Sequence, residues 1–142
     1  MTGAELRFVA GGADRFYISG SAATSGVKFV PEGGMTVNSK VQVDKTELTI
    51  SSGAVTVTRG YHFLDTEGNA STDDLDTING GVDGMILILT TGNAGRDVTL
   101  KDATDNLQLA GDFTLSDPKD SIMLVYDNSL SWWRELSRSN NQ

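Results

Sequence analysis

The residues best suited to chemistry lie in one acidic tract. Asp65, Glu67, Asn69, Ser71, Asp73 and Asp76 occupy relative positions 1, 3, 5, 7, 9 and 12, the spacing at which an EF-hand loop presents oxygen ligands to calcium. The tract departs from that loop in three ways. Position 6 is Ala70 where the sharp turn needs Gly, position 12 is Asp76 where the loop uses the longer Glu, and the flanks have strand periodicity instead of helix periodicity. Acidic loops in an acidic protein are ordinarily solvated turns, so no metal and no cofactor are expected. A structural Ca²⁺ held by Asp65, Glu67, Asn69, Asp73 and Asp76 is the weaker alternative.

The same carboxylates offer two acid-base pairs, Asp65 with Glu67 and Asp73 with Asp76. Glycoside hydrolysis needs its two carboxyl groups a defined distance apart across a sugar cleft, and neighbours within one loop define neither distance nor cleft. The single histidine, His62, belongs to no local Ser-His-Asp signature; on a strand it is expected at the surface or at an interface. No glycine-rich phosphate loop leads into Lys-Ser or Lys-Thr. These residues predict no catalytic constellation and no enzyme.

The elements that must position this tract are strands. Val55, Val57, Tyr61 and Phe63 alternate with Thr56, Thr58 and His62, which reads as one half-buried strand. Met35, Val37, Val41 and Val43 alternate likewise, as do Leu48 and Ile50, Val98 and Leu100, Leu107 and Leu109, and Phe113 and Leu115. Met85-Ile86-Leu87-Ile88-Leu89 and Ile122-Met123-Leu124-Val125-Tyr126 are apolar on both faces, the pattern of central strands or subunit contacts. Turn formers such as Ser52-Gly53, Gly68-Asn69, Asn79-Gly80-Gly81, Asp83-Gly84 and Ala110-Gly111 separate the runs at short intervals. Thr72–Ile78, with Thr72 as N-cap and acids behind it, is the one expected helical turn. The fold class is therefore all-β: short antiparallel strands in a sandwich, prism or barrel.

Trp132 and Trp133 are adjacent on a strand and must point to opposite faces. One enters the core with Leu130 and Leu136. The other is a sugar-stacking platform, an interface anchor or a second buried contact.

Composition sets the outer limits. The chain has 142 residues, 38% of them hydrophobic, with 16 Gly and 2 Pro, enough for one packed domain. It carries 11 basic and 19 acidic residues, a net charge of −8, which repels phosphate backbones and argues against nucleic acid as a partner. With no Cys, disulfides and thiolate chemistry are excluded. The first residues hold no apolar run long enough for a signal peptide, and no run is long enough to span a membrane as a helix. Synthesis in a cytoplasm follows. Residues 1–50 are sparse in apolar side chains and read as an extended attachment region, more basic through Arg7, Arg15, Lys28 and Lys40; residues 51–142 read as the β-rich module.

Ala54-Val55-Thr56-Val57-Thr58, Tyr61-His62, DTEGNASTDDLDTINGG at 65–81, the GMILIL strand, the VTLKDATDNLQLAGDFTL hairpin and the IMLVYDNSLSWWRELSRS ending together resemble a β module recurrent in structural proteins of tailed bacteriophages. The resemblance spans residues 54–139. It implies a non-catalytic virion component, generally an intertwined homotrimer, made in the host cytoplasm. Tail fibres with such a module are usually longer chains with an N-terminal adaptor, so a short chain starting at Met1 points to a capsid decoration, or cement, protein. Such a protein sits on the head surface as a trimer and clamps the major capsid protein lattice. The alternative is a tail-fibre or receptor-binding module that attaches to host cell-surface glycans. On the first reading Leu6, Arg7, Phe8, Arg15, Phe16, Tyr17, Lys28 and Phe29, within the region Leu6 to Val43, contact the capsid. Met85, Leu87, Leu89, Met123, Val125, Trp132 and Trp133 build the trimer interface.

Overall fold

A computed structural model describes residues 40–141. The expected capsid contacts Leu6, Arg7, Phe8, Arg15, Phe16, Tyr17, Lys28 and Phe29 lie outside them, as do Met35 and Val37.

The described residues form eleven short strands: β1 Thr46–Thr49, β2 Ala54–Thr56, β3 Tyr61–Asp65, β4 Thr72–Leu75, β5 Thr77–Asn79, β6 Ile86–Thr91, β7 Asp97–Leu100, β8 Leu107–Gln108, β9 Phe113–Leu115, β10 Ser121–Asp127 and β11 Trp132–Ser139. The protein is all-β, and the one helical element among the described residues is a 3-10 turn at Glu67–Asn69. A six-stranded sheet has the order β1-β3-β6-β10-β11-β8, β2 pairs with β5, and a three-stranded sheet has the order β4-β7-β9. β1 thus belongs to the large sheet although it precedes residue 51.

Strand direction differs from the antiparallel expectation. β1 with β3, β3 with β6, β2 with β5, β4 with β7, and β8 with β11 are parallel; only β6 with β10, β10 with β11, and β7 with β9 are antiparallel. Parallel neighbours require a crossover between them, and here the crossover is a circuit of the chain around its own core. β3, β4 and β5 visit the large, the three-stranded and the two-stranded sheet in turn, and β6 and β7 begin a second circuit stacked on the first. Tyr61 lies opposite Ile88, Thr72 opposite Asp97, and Ala54 opposite Thr77. The arrangement is solenoid-like until β9, β10 and β11, whose antiparallel pairings close the C-terminal end. The turn formers that separate the runs are largely corners between sheets and not links between antiparallel neighbours. Alternation reports that one strand face is buried and carries no information about the neighbour's direction.

Side chains from all three sheets fill one core. Leu64, Leu87, Leu89, Ile122 and Leu124 come from the large sheet, Val55 and Ile78 from the two-stranded one, and Leu75, Val98, Leu100, Phe113 and Leu115 from the three-stranded one. Trp133 is fully buried among them, its ring centroid 5.0 Å from that of Tyr126.

Three local expectations change. Thr72–Ile78 is not a helical turn: it is β4, a corner at Asp76, and β5. Thr72 and Asp74 pair with β7 residues instead of capping, and Asp76 and Thr77 donate their N–H groups to Gly53 O at 2.8 and 3.1 Å. Val55 to Phe63 is not one strand. Thr58-Arg59-Gly60 interrupts it and reverses its phase, so Val55 and Val57 are buried while Tyr61 and Phe63 are half-buried and His62 and Leu64 take the inner face. His62 is accordingly in the core, not at the surface.

Candidate assembly surface

β6 and β10 lie side by side at the middle of the large sheet, with Leu89 opposite Ile122, Ile88 opposite Met123, Leu87 opposite Leu124 and Ile86 opposite Val125. The pleat sends alternate pairs to opposite faces. Leu87, Leu89, Ile122 and Leu124 point inward and are buried. Ile88, Met123 and Val125 are half-buried on the outer face and Ile86 is 44% exposed. β3 extends the outer row, since Tyr61 registers with Ile88 and Phe63 with Thr90.

The residues expected at a trimer interface therefore divide. Leu87, Leu89 and Trp133 are enclosed in the chain's own core; Met85, Met123 and Val125 are half-buried, and Trp132 is 41% exposed. Ile86 and Ile88, within the run read from sequence as a central strand or subunit contact, are on the outer face, the second parity of that doubly apolar run. Tyr61, Phe63 and Leu136 are further outer-face residues that sequence reasoning did not assign to an interface. Leu130 and Leu136 do not accompany a tryptophan into the core: both are exposed. Leu130 lies in the β10–β11 turn, and Leu136 is the extra residue at a bulge where Met123 pairs with Ser137 and Leu124 with Glu135. A bulge residue has no partner opposite it and turns out of the ladder.

Beside Trp132 a cleft of about 520 Å³ is lined by Asp83, Gly84, Val125, Tyr126, Asp127, Asn128, Ser129 and Arg134. Its carboxylates close turns. Asp83 Oδ1 accepts the Asn128 N–H at 3.0 Å, and Asp127 Oδ1 accepts the Ser129 hydroxyl at 2.6 Å and the Ser129 N–H at 3.0 Å. The Ser129 hydroxyl bond, with backbone N–H groups and Arg134, holds the Asp127 carboxyl below its ordinary range. Arg134 lies 3.6 Å from Asp127 Oδ2.

The acidic tract is not gathered around one point. Asp65 accepts the Thr66 N–H at 2.9 Å and pairs with Arg96 at 2.5 Å. Glu67 accepts the Ser52 N–H at 3.2 Å, and Asp73 accepts the N–H groups of Glu67 at 2.7 Å and Asp74 at 2.9 Å. Asn69 has φ 59° and donates its N–H to Thr66 O. Asp76 stands apart at the β4–β5 corner. Burial, then the charges of Asp74 and Asp105, push its carboxyl above the usual range. Among the described residues no group of three or more His, Cys, Asp or Glu is arranged to hold a metal ion.

No protein-family model matches the chain, and no curated protein is significantly similar to it. Among the described residues no helix is long and apolar enough to cross a membrane.

Proposed function

We propose that this chain is a structural protein of a tailed-bacteriophage virion, and within that class a capsid decoration protein that binds the head surface as a trimer and stabilises the capsid lattice. The observation that carries the reading is the pair β6 and β10. Both strands are apolar on both faces, yet the fold of the described residues covers only one face, leaving Ile86, Ile88, Met123 and Val125 outward. An apolar patch at the centre of the largest sheet marks a surface made to be covered. The motif order across residues 54–139, which resembles phage β modules, supplies the biological setting. Residues 1–50 are the proposed capsid-binding region.

Such a protein acts by mass action. Three linked copies turn a weak capsid contact into an avid one, and binding the expanded lattice alone stabilises that state. Immunogold labelling of virions tests the role: label over the head lattice is the expected result, and label confined to the tail tip would reject decoration. Removing residues 1–40, which leaves β1 and the buried Ile50 in place, is expected to abolish head binding; retained binding would remove the role assigned to that region.

One observation favours the tail-fibre reading. Trp132 is exposed beside the cleft of Asp127 and Arg134, an aromatic face next to polar groups of the kind that stacks on sugars. On that reading Trp132→Ala abolishes adsorption to host cells and leaves head stability unchanged.

A further inference from the structure

Exposed apolar side chains are concentrated on one part of this molecule. The large hydrophobic side chains left exposed among the described residues are Val41, Val43, Val82, Ile86, Leu130, Trp132 and Leu136. Each lies on the six-stranded sheet or on a segment leading into one of its strands. Val43 reaches the middle of that sheet's margin, its Cγ1 3.7 Å from where a Cβ on Gly60 would lie, and Gly60 abuts the Ile86 carbonyl. β6 carries no charged residue, and β10 none before Asp127. The outward positions of the other two sheets are Ala54, Thr56, Thr77 and Asn79, and Thr72, Asp74, Asp97, Thr99 and Thr114. Asp76, Asp102, Asp105 and Asp112 lie on the connections of those sheets.

We propose that the outer face of the six-stranded sheet is the surface through which copies of this chain meet, with Ile86, Ile88, Met123 and Val125 at its centre. Charge selects the occupant. Copies with a net charge of −8 repel one another over most of their surfaces. Turning the apolar centre of this face inward removes apolar area from water and keeps Asp74 and Asp97 of the three-stranded sheet outermost and furthest apart. A basic partner would find its complement on that three-stranded sheet instead. The rim offers both signs to a second copy: Lys45 sits over the Tyr61 and Phe63 rings at 5.8 and 5.6 Å, Glu47 is on the same face opposite Phe63, and Arg134 and Asp127 lie at the far side. The proposal deepens the assembly reading given above. It is tested without any virion, so its failure is distinct from failure of the decoration role.

Sedimentation equilibrium of the full chain from about 1 to about 100 µM is expected to show self-association. Ile86→Glu should raise the dissociation constant by at least roughly tenfold, while Thr99→Glu, an equal charge on the three-stranded sheet, should assemble like the parent. Ile86→Ser serves as a second variant at an exposed position and should also weaken assembly. Acrylamide quenching of the unaltered protein reads the same surface. Trp133 is already buried, so Trp132 supplies the quenchable emission, and that emission should become protected as concentration rises. A parent protein that stays monomeric throughout, Ile86 variants that assemble as tightly as the parent, or quenching that does not change with concentration would overturn the proposal.

Discussion

The side-chain amide of Asn106 pairs with the backbone of Ile78 as a neighbouring strand would. The Ile78 N–H donates to Asn106 Oδ1 at 3.0 Å, and Asn106 Nδ2 donates to the Ile78 carbonyl at 2.8 Å. Trp133 closes the same point, its indole Nε1 donating to Ile78 O at 2.9 Å and its backbone N–H to Asn106 O at 2.8 Å. A single side chain thus takes the place of a third strand next to β5 and ties the circuit to the C-terminal hairpin. The carbonyl has two donors; the buried N–H has Asn106 alone.

Asn106→Leu should therefore destabilise more than loss of one average hydrogen bond, by about 2–3 kcal/mol, because the Ile78 N–H is left buried without a partner. Trp133→Phe removes only one of two donors to the carbonyl, and its hydrogen-bond component should be about 1 kcal/mol, with a packing loss added. Urea titration of both variants checks the order. An Asn106→Leu midpoint equal to the parent's would show that the pairing contributes nothing.

His62 makes a second backbone-mimicking contact inside the core. Its Nε2 accepts the N–H groups of Thr58 at 3.3 Å and Arg59 at 3.1 Å. With Nε2 accepting, the ring hydrogen sits on Nδ1, which reaches Thr46 Oγ1 at 2.9 Å and Thr46 O at 3.2 Å. One side chain thereby closes the corner between β2 and β3 and anchors β1. His62→Leu should cost about 2–4 kcal/mol, since two N–H donors lose their acceptor. Hydrogen exchange at Thr58 and Arg59 should accelerate before the rest of the sheet. Uniform acceleration across all strands would instead indicate that His62 acts only through packing.

The glycines around Asn79 differ in what each excludes. A Cβ on Gly81 would lie 2.4 Å from the Tyr126 ring, and one on Gly80, at φ +89°, would lie 2.5 Å from Val57 O; a Cβ on Gly84, at φ +74°, meets nothing within 4 Å. Gly84→Ala should therefore show only the backbone penalty, about 1–2 kcal/mol. Gly81→Ala must displace the Tyr126 ring, which packs against Trp133, and should cost about 1–3 kcal/mol through overpacking. Gly80→Ala combines strain with collision and should be the worst of the three by thermal melting. A melting temperature for Gly80→Ala at or above that of Gly84→Ala would contradict the ranking.

Most strands were readable in the sequence, but β4 and β5 were read as a helical turn and β2 and β3 as one strand, and the strands' partners were not readable. Val98, Leu100, Phe113 and Leu115 alternate and are buried, and the two doubly apolar runs became the adjacent central strands β6 and β10. Direction was hidden because Gly, Asn and Asp form a corner between sheets as readily as a hairpin. Unequal circuit lengths, visible in Ala54 opposite Thr77 and Tyr61 opposite Ile88, concealed the stacking from any search for a fixed repeat. The candidate surface was half legible. When both parities of a strand are apolar, nothing local tells Leu87 from Ile86; the choice is made by the register with Leu124 and Val125. Asn106 carried no signal, since an asparagine in a turn is ordinary.

Two carboxylates should act on stability in opposite senses as pH falls. Glu135 accepts Arg138 Nε at 2.6 Å and the Ala110 N–H at 2.9 Å, with Arg138 Nη2 on its second oxygen. The Arg138 bond lowers the Glu135 carboxyl below its ordinary range and raises Arg138 above its own. A depressed folded value contributes stability that is present above the unfolded value, about 4.3, and is lost as pH falls through the folded one. Asp76 is raised, chiefly by burial and then by Asp74 and Asp105. The folded state therefore holds its proton more tightly than the unfolded state does, and stability is lost as pH rises from about 3.9 through the raised value. At neutral pH, Glu135→Gln should destabilise and Asp76→Asn should stabilise. Both differences from the parent should shrink toward acid, as each parent carboxyl becomes neutral. Urea midpoints measured from about pH 2.5 to about pH 7 decide the matter. A neutral-pH loss of stability in Asp76→Asn would mean that its carboxylate is held by favourable contacts and that the crowding of Asp74, Asp76 and Asp105 is no liability.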